Sequence, residues 1–217
     1  MNSKRIPINL LIFDFDGTLT DSIPAAVEAI QAMMVELGLP HKTKEEIHKH
    51  IGYGEAHLVS GSIGSKEPKL LKTALEIYSK HIKAGIKTVP VYPHVKELLG
   101  FFEQKPKIII SNKKDEFIKM ILDHHYLTSY FIDIFGEDRA PSRKPDPSTL
   151  NKILEEYKIS PDRTILIGDM AVDVQTGKNA KVVTCAVTYG FDDRSKLERS
   201  NPDFLIDDIL KLKGLIY

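Results

Sequence analysis

The chain has 217 residues, of which 42% are hydrophobic and 28% charged, and its 30 basic residues balance its 30 acidic ones at a formal net charge of zero. That balance excludes the basic footprint of a nucleic-acid-binding protein, and the length suits one domain with a sizeable insertion or two small domains. No stretch reaches the ~18 consecutive apolar residues of a membrane span, and Lys4 and Arg5 precede a segment broken by Pro7 and Asn9 rather than a signal-type apolar run, so the expected setting is cytoplasmic. Cys185 is the only cysteine and lies in an apolar run, which rules out an internal disulfide framework and reads as a buried core residue.

Leu10 to Phe13 form a short apolar run of the kind found in the middle of a parallel sheet. Ser22 then stands where it can cap a helix carrying Ile23, Ala26, Val27, Ile30, Met33, Met34 and Leu37 at the 3.6 period, with Gly38 to end it. Thr43 and Glu46 have the spacing of a capping box for a short helix that stops before Gly52. A Gly-Tyr-Gly turn follows at 52 to 54, and Leu71, Ala74, Leu75, Tyr78 and Ile82 mark a further helix face ending near Gly85. The whole of 21 to 88 thus reads as helical.

Val89-Pro90-Val91-Tyr92-Pro93 reads as a hinge or linker. Beyond it, strands and helices alternate. Val95, Leu98, Leu99 and Phe102 form a helix face, Lys107 to Ile110 a strand stopping at Ser111-Asn112, and Phe117 to His125 another helix face. Strands are expected at Phe131 to Phe135, Thr164 to Ile167, 182 to 187 and Phe204 to Ile206. Helices are expected from Asp146-Pro147 through Tyr157 and from Asp169 to about Lys178. Such βα repetition predicts an α/β fold with a doubly wound parallel sheet, into which a helical insertion has been placed after the first strand. The expected division is a core of 1–20 and 89–217 with an inserted helical domain of 21–88.

Three predicted strands end in polar residues. After the first come Asp14 and Asp16, which strand alternation points the same way at the sheet edge where ligands of such folds bind. Two like charges about 4 Å apart at an effective dielectric of about 20 repel by about 4 kcal/mol, so a cation, a lysine or a shared proton is required. Ser111 and Asn112 offer a hydroxyl and backbone amides suited to a phosphate oxygen, or simply a turn. Lys144, in Lys-Pro-Asp-Pro, is either a solvated loop lysine or an ammonium held in place by two prolines. Asp169 and Asp173 are four apart across a strand-to-helix turn, where they serve as helix caps or face one point together. Taken jointly, four acids, one lysine and one hydroxyl at one end of one sheet call for a divalent ion, and an all-oxygen donor set favours Mg²⁺.

Asp14-Phe-Asp-Gly-Thr-Leu-Thr-Asp21-Ser22, Ser111-Asn112, Lys144-Pro-Asp-Pro147 and Gly168-Asp169 with Asp173 resemble the four motifs of the haloacid dehalogenase superfamily of phosphohydrolases. The resemblance spans the chain. Its nearest form is the phosphoglycolate phosphatase-like branch with a helical, C1-type cap, on account of Ile51-Gly-Tyr-Gly54 and Val187-Thr-Tyr-Gly190. It implies a Rossmannoid core and a nucleophilic Asp14 that forms an aspartyl-phosphate. It also implies an Asp16 that protonates the leaving oxygen and then activates water. Mg²⁺ would be held by Asp14, the Asp16 carbonyl and Asp169, with Asp173 behind them. Ser111 and the Asn112 amide would bind phosphoryl oxygens beside Lys144. The acid at 16 favours phosphate esters over the dehalogenase, phosphonatase and transport-ATPase branches.

In the cap, Tyr53 is the candidate substrate contact or an exposed turn residue, and Lys49 or His50 is a recognition group or a solvated one. No arginine occurs from 21 to 88, and the eight histidines show no zinc-site spacing. Three functions are consistent with this pattern. The first is a phosphatase of small phosphorylated metabolites, with 2-phosphoglycolate favoured by resemblance, acting as a monomer or homodimer. The second is a sugar phosphomutase of the β-phosphoglucomutase kind, which the arginine-free cap argues against. The third is a non-catalytic binding or regulatory protein on the same fold. Two departures from the family pattern concern turns: Lys113-Lys114 replaces a common lysine-proline, and Lys178-Asn-Ala-Lys181 lacks a glycine often found before the next strand.

Overall fold

The structure, a computed structural model, describes residues 5–217, so Lys4 lies outside the described residues. The elements run β1 (Leu10–Phe13), α1 (Ile23–Glu36), α2 (Lys44–His48), α3 (Glu55–Ile63), α4 (Pro68–Gly85), α5 (Val95–Phe101), β2 (Lys107–Ile110) and α6 (Asp115–His124). They continue with β3 (Asp133–Phe135), α7 (Ser148–Tyr157), β4 (Thr164–Gly168), α8 (Ala171–Asn179), β5 (Val183–Val187), α9 (Arg194–Ser200), β6 (Phe204–Ile206) and α10 (Leu212–Leu215). All six strands pair in parallel, in the order β3-β2-β1-β4-β5-β6. The chain therefore winds outward from β1 in both directions, and β1 occupies the point where the order reverses.

Strand alternation divides the core between the two sheet faces. Leu11, Phe13, Ile109, Ile165, Ile167 and Cys185 pack on one face with residues of α5 and α6, whereas Leu10, Ile12, Ile108, Ile110 and Leu166 pack on the other with α7. Cys185 is buried as expected, and burial pushes its thiol up, away from the reactive thiolate. Among the described residues no helix is long and apolar enough to cross a membrane.

The insertion between β1 and α5 consists of four helices, not the three that periodicity marks out. Helix α3 carries only four buried residues, two of them Glu55 and Ser62, so its apolar stripe is weak in the sequence. The capping box of α2 forms as predicted: Glu46 N donates to Thr43 Oγ1 at 3.2 Å and Thr43 N to Glu46 Oε2 at 2.8 Å. Gly38 ends α1 with a φ of +63°, the Leu39 amide turning back to the Met34 carbonyl at 2.9 Å. Ser22 begins α1 by position, but its side chain makes no capping bond and is buried toward the carboxyl ends of the strands.

The two chain crossings into and out of the insertion are tied together. Thr20 and Val91 form an antiparallel bridge, flanked by Asp21 N to Pro90 O at 2.9 Å and Tyr92 N to Leu19 O at 3.0 Å. Other boundaries differ from expectation by small amounts. The third strand is Asp133–Phe135 rather than starting at Phe131: the Ile132 amide leads into the ladder by donating to Lys107 O at 2.9 Å, and Phe131 turns edge-on to Phe13. The β5 strand starts at Val183. Helix α9 carries a single buried residue, Leu197, and lacks a readable periodic pattern.

The missing glycine before β5 has a visible consequence. Lys181 adopts a φ of +61°, a left-handed conformation that a side chain tolerates poorly, so that the chain can turn from α8 into the strand.

Candidate active site

Asp14 stands immediately beyond β1, where its amide still donates to Ile167 O of β4 at 2.8 Å, so its position is fixed by the ladder itself. The chain then folds into a tight turn in which Leu19 N and Thr20 N both reach Phe15 O, at 2.9 and 3.1 Å. Gly17 makes this turn possible. It has a φ of +83°, and a Cβ there would lie 2.1 Å from Asp169 Oδ2, so any side chain would displace the acid.

Asp14 is 5% exposed and Asp169 is fully buried. Asp169 accepts from Thr18 Oγ1 and from Phe191 N, each at 2.7 Å, which fixes both oxygens. Asp173 receives Met170 N at 2.9 Å on Oδ2 and Lys144 Nζ at 2.5 Å on Oδ1. Lys144 also reaches Asp14 Oδ1 at 2.8 Å. Of the two readings of Lys144, the held ammonium is the one realised: the residue is 7% exposed, its amide donates to Asn112 Oδ1 at 3.3 Å, and the Lys144–Pro145 peptide is cis.

Asp14, Asp169 and Asp173 each offer an oxygen within 4.8 Å of the others. Crowding and burial disturb their acidity. Burial, followed by repulsion from Asp173 and Asp16, pushes the Asp14 carboxyl up to about 7, against the pull of Lys144. Burial and the charges of Asp14 and Asp173 likewise push Asp169 well above the usual carboxylate range. Burial works against the Lys144 charge, but Asp14 and Asp173 more than offset it and hold the ammonium above the usual lysine range. With all four acids ionised, two ammonium groups, Lys144 and Lys113, leave an excess of about two negative charges in a buried space, which is why burial and repulsion push Asp14 and Asp169 toward their neutral forms when no cation is present. A divalent cation fits that excess, and hard carboxylate oxygens suit an ion such as Mg²⁺.

Asp16 lies apart from the three-acid group. Both its oxygens are 3.3 Å from Lys113 Nζ, and its side chain is 21% exposed, so it faces the open part of the cavity. Lys113 thus compensates half of the opening aspartate pair; the sequence marks it only as a departure from lysine-proline. Ser111 and Asn112 are both buried. Asn112 Nδ2 donates to Gly52 O of the insertion at 2.9 Å, so its side chain joins core and insertion, and the residue lines the cavity with Asp14.

The cavity is closed from the other side by the insertion. Gly52 has a φ of +93°, and a Cβ there would come within 2.5 Å of Met170 Sδ; the turn can press against the core only as glycine. Ile51, Gly52, Gly54, Glu55, Leu58 and Tyr78 line that wall, together with Ser22 and Ala26. The three substrate candidates of the insertion lie outside it. Tyr53 is 39% exposed and lies tilted against His57 at 5.3 Å, His50 is tilted against the same ring at 5.7 Å, and Lys49 is exposed. Periodicity could not separate these from Glu55 and Tyr78, because the turn aims its central side chain outward and the following helix inward. Burial, then Glu55 and Asp16, push the Tyr78 phenol well up, and burial raises the Glu55 carboxyl against the pull of Lys114.

Comparisons with known proteins agree with this geometry. The model of a family described as haloacid dehalogenase-like hydrolase matches residues 11–187. A phosphoglycolate phosphatase of Vibrio cholerae is 30% identical over 212 residues, covering 93% of this chain and 94% of its own. One of Pseudomonas savastanoi pv. phaseolicola is 31% identical over 211 residues, covering 94% of this chain and 78% of its own. A crystal structure described as "a predicted phosphoglycolate phosphatase from haemophilus somnus" shares the fold with a TM-score of 0.90 and 21% identity, over 95% of this chain and 96% of that one.

Proposed function

Because the chain belongs to the haloacid dehalogenase-like hydrolases and is a phosphoric monoester hydrolase, we propose that it cleaves a small-molecule phosphate monoester with the help of Mg²⁺ through an aspartyl-phosphate on Asp14. The observation that carries this reading is the buried group of Asp14, Asp169 and Asp173 with Lys144 wedged among them, a site that holds both a nucleophile and the countercharges phosphoryl transfer needs. 2-Phosphoglycolate is the reference substrate, because relatives similar over most of this chain carry that name.

In this reading Asp14 attacks phosphorus with its free oxygen while Lys144, bonded to the other, neutralises charge on the nucleophile and the transferring group. Asp16, at the open side of the cavity, gives its proton to the departing oxygen and then takes one from the water that opens the intermediate. Lys113 keeps Asp16 in place for both steps. The Ser111 hydroxyl and the Asn112 amide hold phosphoryl oxygens. Asp14, Asp169 and the Asp16 carbonyl would hold Mg²⁺, with Asp173 orienting Lys144; when bound, the ion would polarise the phosphoryl group and screen its charge. Residues 21–88 act as a cap that excludes water during transfer.

A phosphate-release screen over phosphorylated glycolate, sugars, nucleotides and pyrophosphate, run with Mg²⁺ and with chelator, tests this function. Turnover is expected with Mg²⁺ only, and Asp14→Asn is expected to abolish it; unchanged turnover in that variant would sink the mechanism.

A further inference from the structure

Five charged side chains line the cavity: Asp14, Asp16, Lys113 and Lys144 from the core, and Glu55 from the insertion. The core four are matched among themselves, Lys144 with Asp14 and Lys113 with Asp16. Glu55 is the only charge that the insertion brings to the wall, and it is an acid. It is 7% exposed, at the first turn of α3.

The position of Glu55 is set by the core. Its amide donates to Glu137 Oε2 at 3.3 Å, and Glu137 is in turn held by Arg143. Its Oε2 lies 2.8 Å from Lys114 Nζ, an ammonium on a side chain that is 38% exposed and that does not line the cavity. No well-directed hydrogen bond accompanies that ion pair, as is also true of Asp14 Oδ1 beside Lys144 and Asp16 Oδ1 beside Lys113. Three buried carboxylate oxygens, each facing one lysine ammonium, therefore share one cavity and can accept a further donor from whatever enters it. Those on Asp14 and Asp16 are accounted for by metal, phosphoryl group and transferable proton. Glu55 is left for the rest of the substrate, amid Ile51, Leu58 and the phenol of Tyr78.

We infer that the leaving group of the natural substrate ends in a hydrogen-bond donor, a hydroxyl or an ammonium, that is received by Glu55, and that the cavity discriminates against a terminal carboxylate. This rests on the phosphatase reading above and narrows its substrate class. A carboxylate brought against Glu55 adds a second negative charge to a wall where burial already disfavours the first, with no arginine in the insertion to absorb it. A hydroxyl or ammonium instead donates to the Glu55 carboxylate.

A series with one two-carbon skeleton isolates the effect: 2-phosphoglycolate, phosphoethanolamine and 2-hydroxyethyl phosphate differ only in the far group. With Mg²⁺ present, kcat/KM for the hydroxyl or ammonium ester is expected to exceed that for 2-phosphoglycolate by roughly ten- to a hundredfold. Glu55→Gln removes the charge at constant size and is expected to shrink that ratio about tenfold; Glu55→Lys is expected to reverse it. If neither variant folds, the wild-type ranking alone decides. Turnover fastest on 2-phosphoglycolate, or a ratio untouched by Glu55→Gln, overturns the inference and leaves the phosphatase reading standing. Failure to cleave any monoester overturns both.

Discussion

Lys144 Nζ lies 2.8 Å from Asp14 Oδ1, and each residue is more than nine-tenths buried. The same ammonium reaches Asp173 at 2.5 Å, so one cation joins the strand end that carries Asp14 to the helix after β4. Lys144→Ala is expected to lower kcat/KM by roughly 10² to 10³ and to cost about 3 to 5 kcal/mol of stability, because two buried carboxylates lose their partner at once. Urea unfolding alongside steady-state kinetics checks both. A variant with wild-type kinetics would remove Lys144 from the mechanism.

Asp16→Asn keeps the shape of the site and removes its proton. The variant is expected to slow both cleavage of the ester and hydrolysis of the intermediate, each by roughly 10² to 10⁴. Rapid-quench measurement with a chromogenic ester separates the two steps, and wild-type rates in both would refute the acid-base role. Lys113, 3.3 Å from each Asp16 oxygen, should tolerate replacement better, since it orients and does not react.

Metal and proton compete for the acid group. In the metal-free protein the Asp14 carboxyl is pushed from 3.8 up to about 7, so the folded state holds a proton that the unfolded chain has released. The stability linked to that proton is fully present below about 3.8 and is lost as pH rises through about 7; Asp169 shifts in the same direction. Lys144 stays charged across this window. In chelator, Tm is therefore expected to fall between about pH 5 and about pH 8, and Mg²⁺ is expected to raise Tm more at the higher pH. Equal Mg²⁺ shifts at both pH values would contradict the placement of the ion on these acids.

Lys181, with its φ of +61°, offers a test remote from the chemistry. Lys181→Gly relieves the left-handed strain but loosens the unfolded chain, and the balance is an expected gain of about 0.5 to 1 kcal/mol. The urea midpoint should rise with the m-value unchanged.

The core of the site is legible in the sequence because it is built from strand ends. Each of Asp14, Ser111 and Asp169 follows a run of apolar residues whose direction fixes where the next polar side chain must stand, and parallel pairing brings those ends together. Gly17 and Gly52 are likewise readable as turns, though the atoms they make room for, Asp169 Oδ2 and Met170 Sδ, are not. What escapes is whatever depends on how the insertion lies on the core. Nothing in the sequence singles out Glu55, Lys113 is marked only as a departure from lysine-proline, and Tyr53 is a candidate contact or an exposed residue of a glycine turn. With Asn112 bonded to Gly52 and Glu137 to the Glu55 amide, Glu55 and Lys113 line the cavity and Tyr53 lies outside it. Those bonds span 60 and 82 residues of chain, and no local pattern encodes them.

The backbone bridge between Thr20 and Val91 means that the insertion leaves and re-enters the core at a single point. To the sheet it is one long loop with its ends already pinned, and lengthening such a loop adds closure entropy only logarithmically. Descent with modification can therefore remodel or replace the helical segment as a cassette while β1 and β2 remain paired beside it. Under the proposed function, the segment that would select the substrate and the sheet that would carry the chemistry are then free to evolve at different rates.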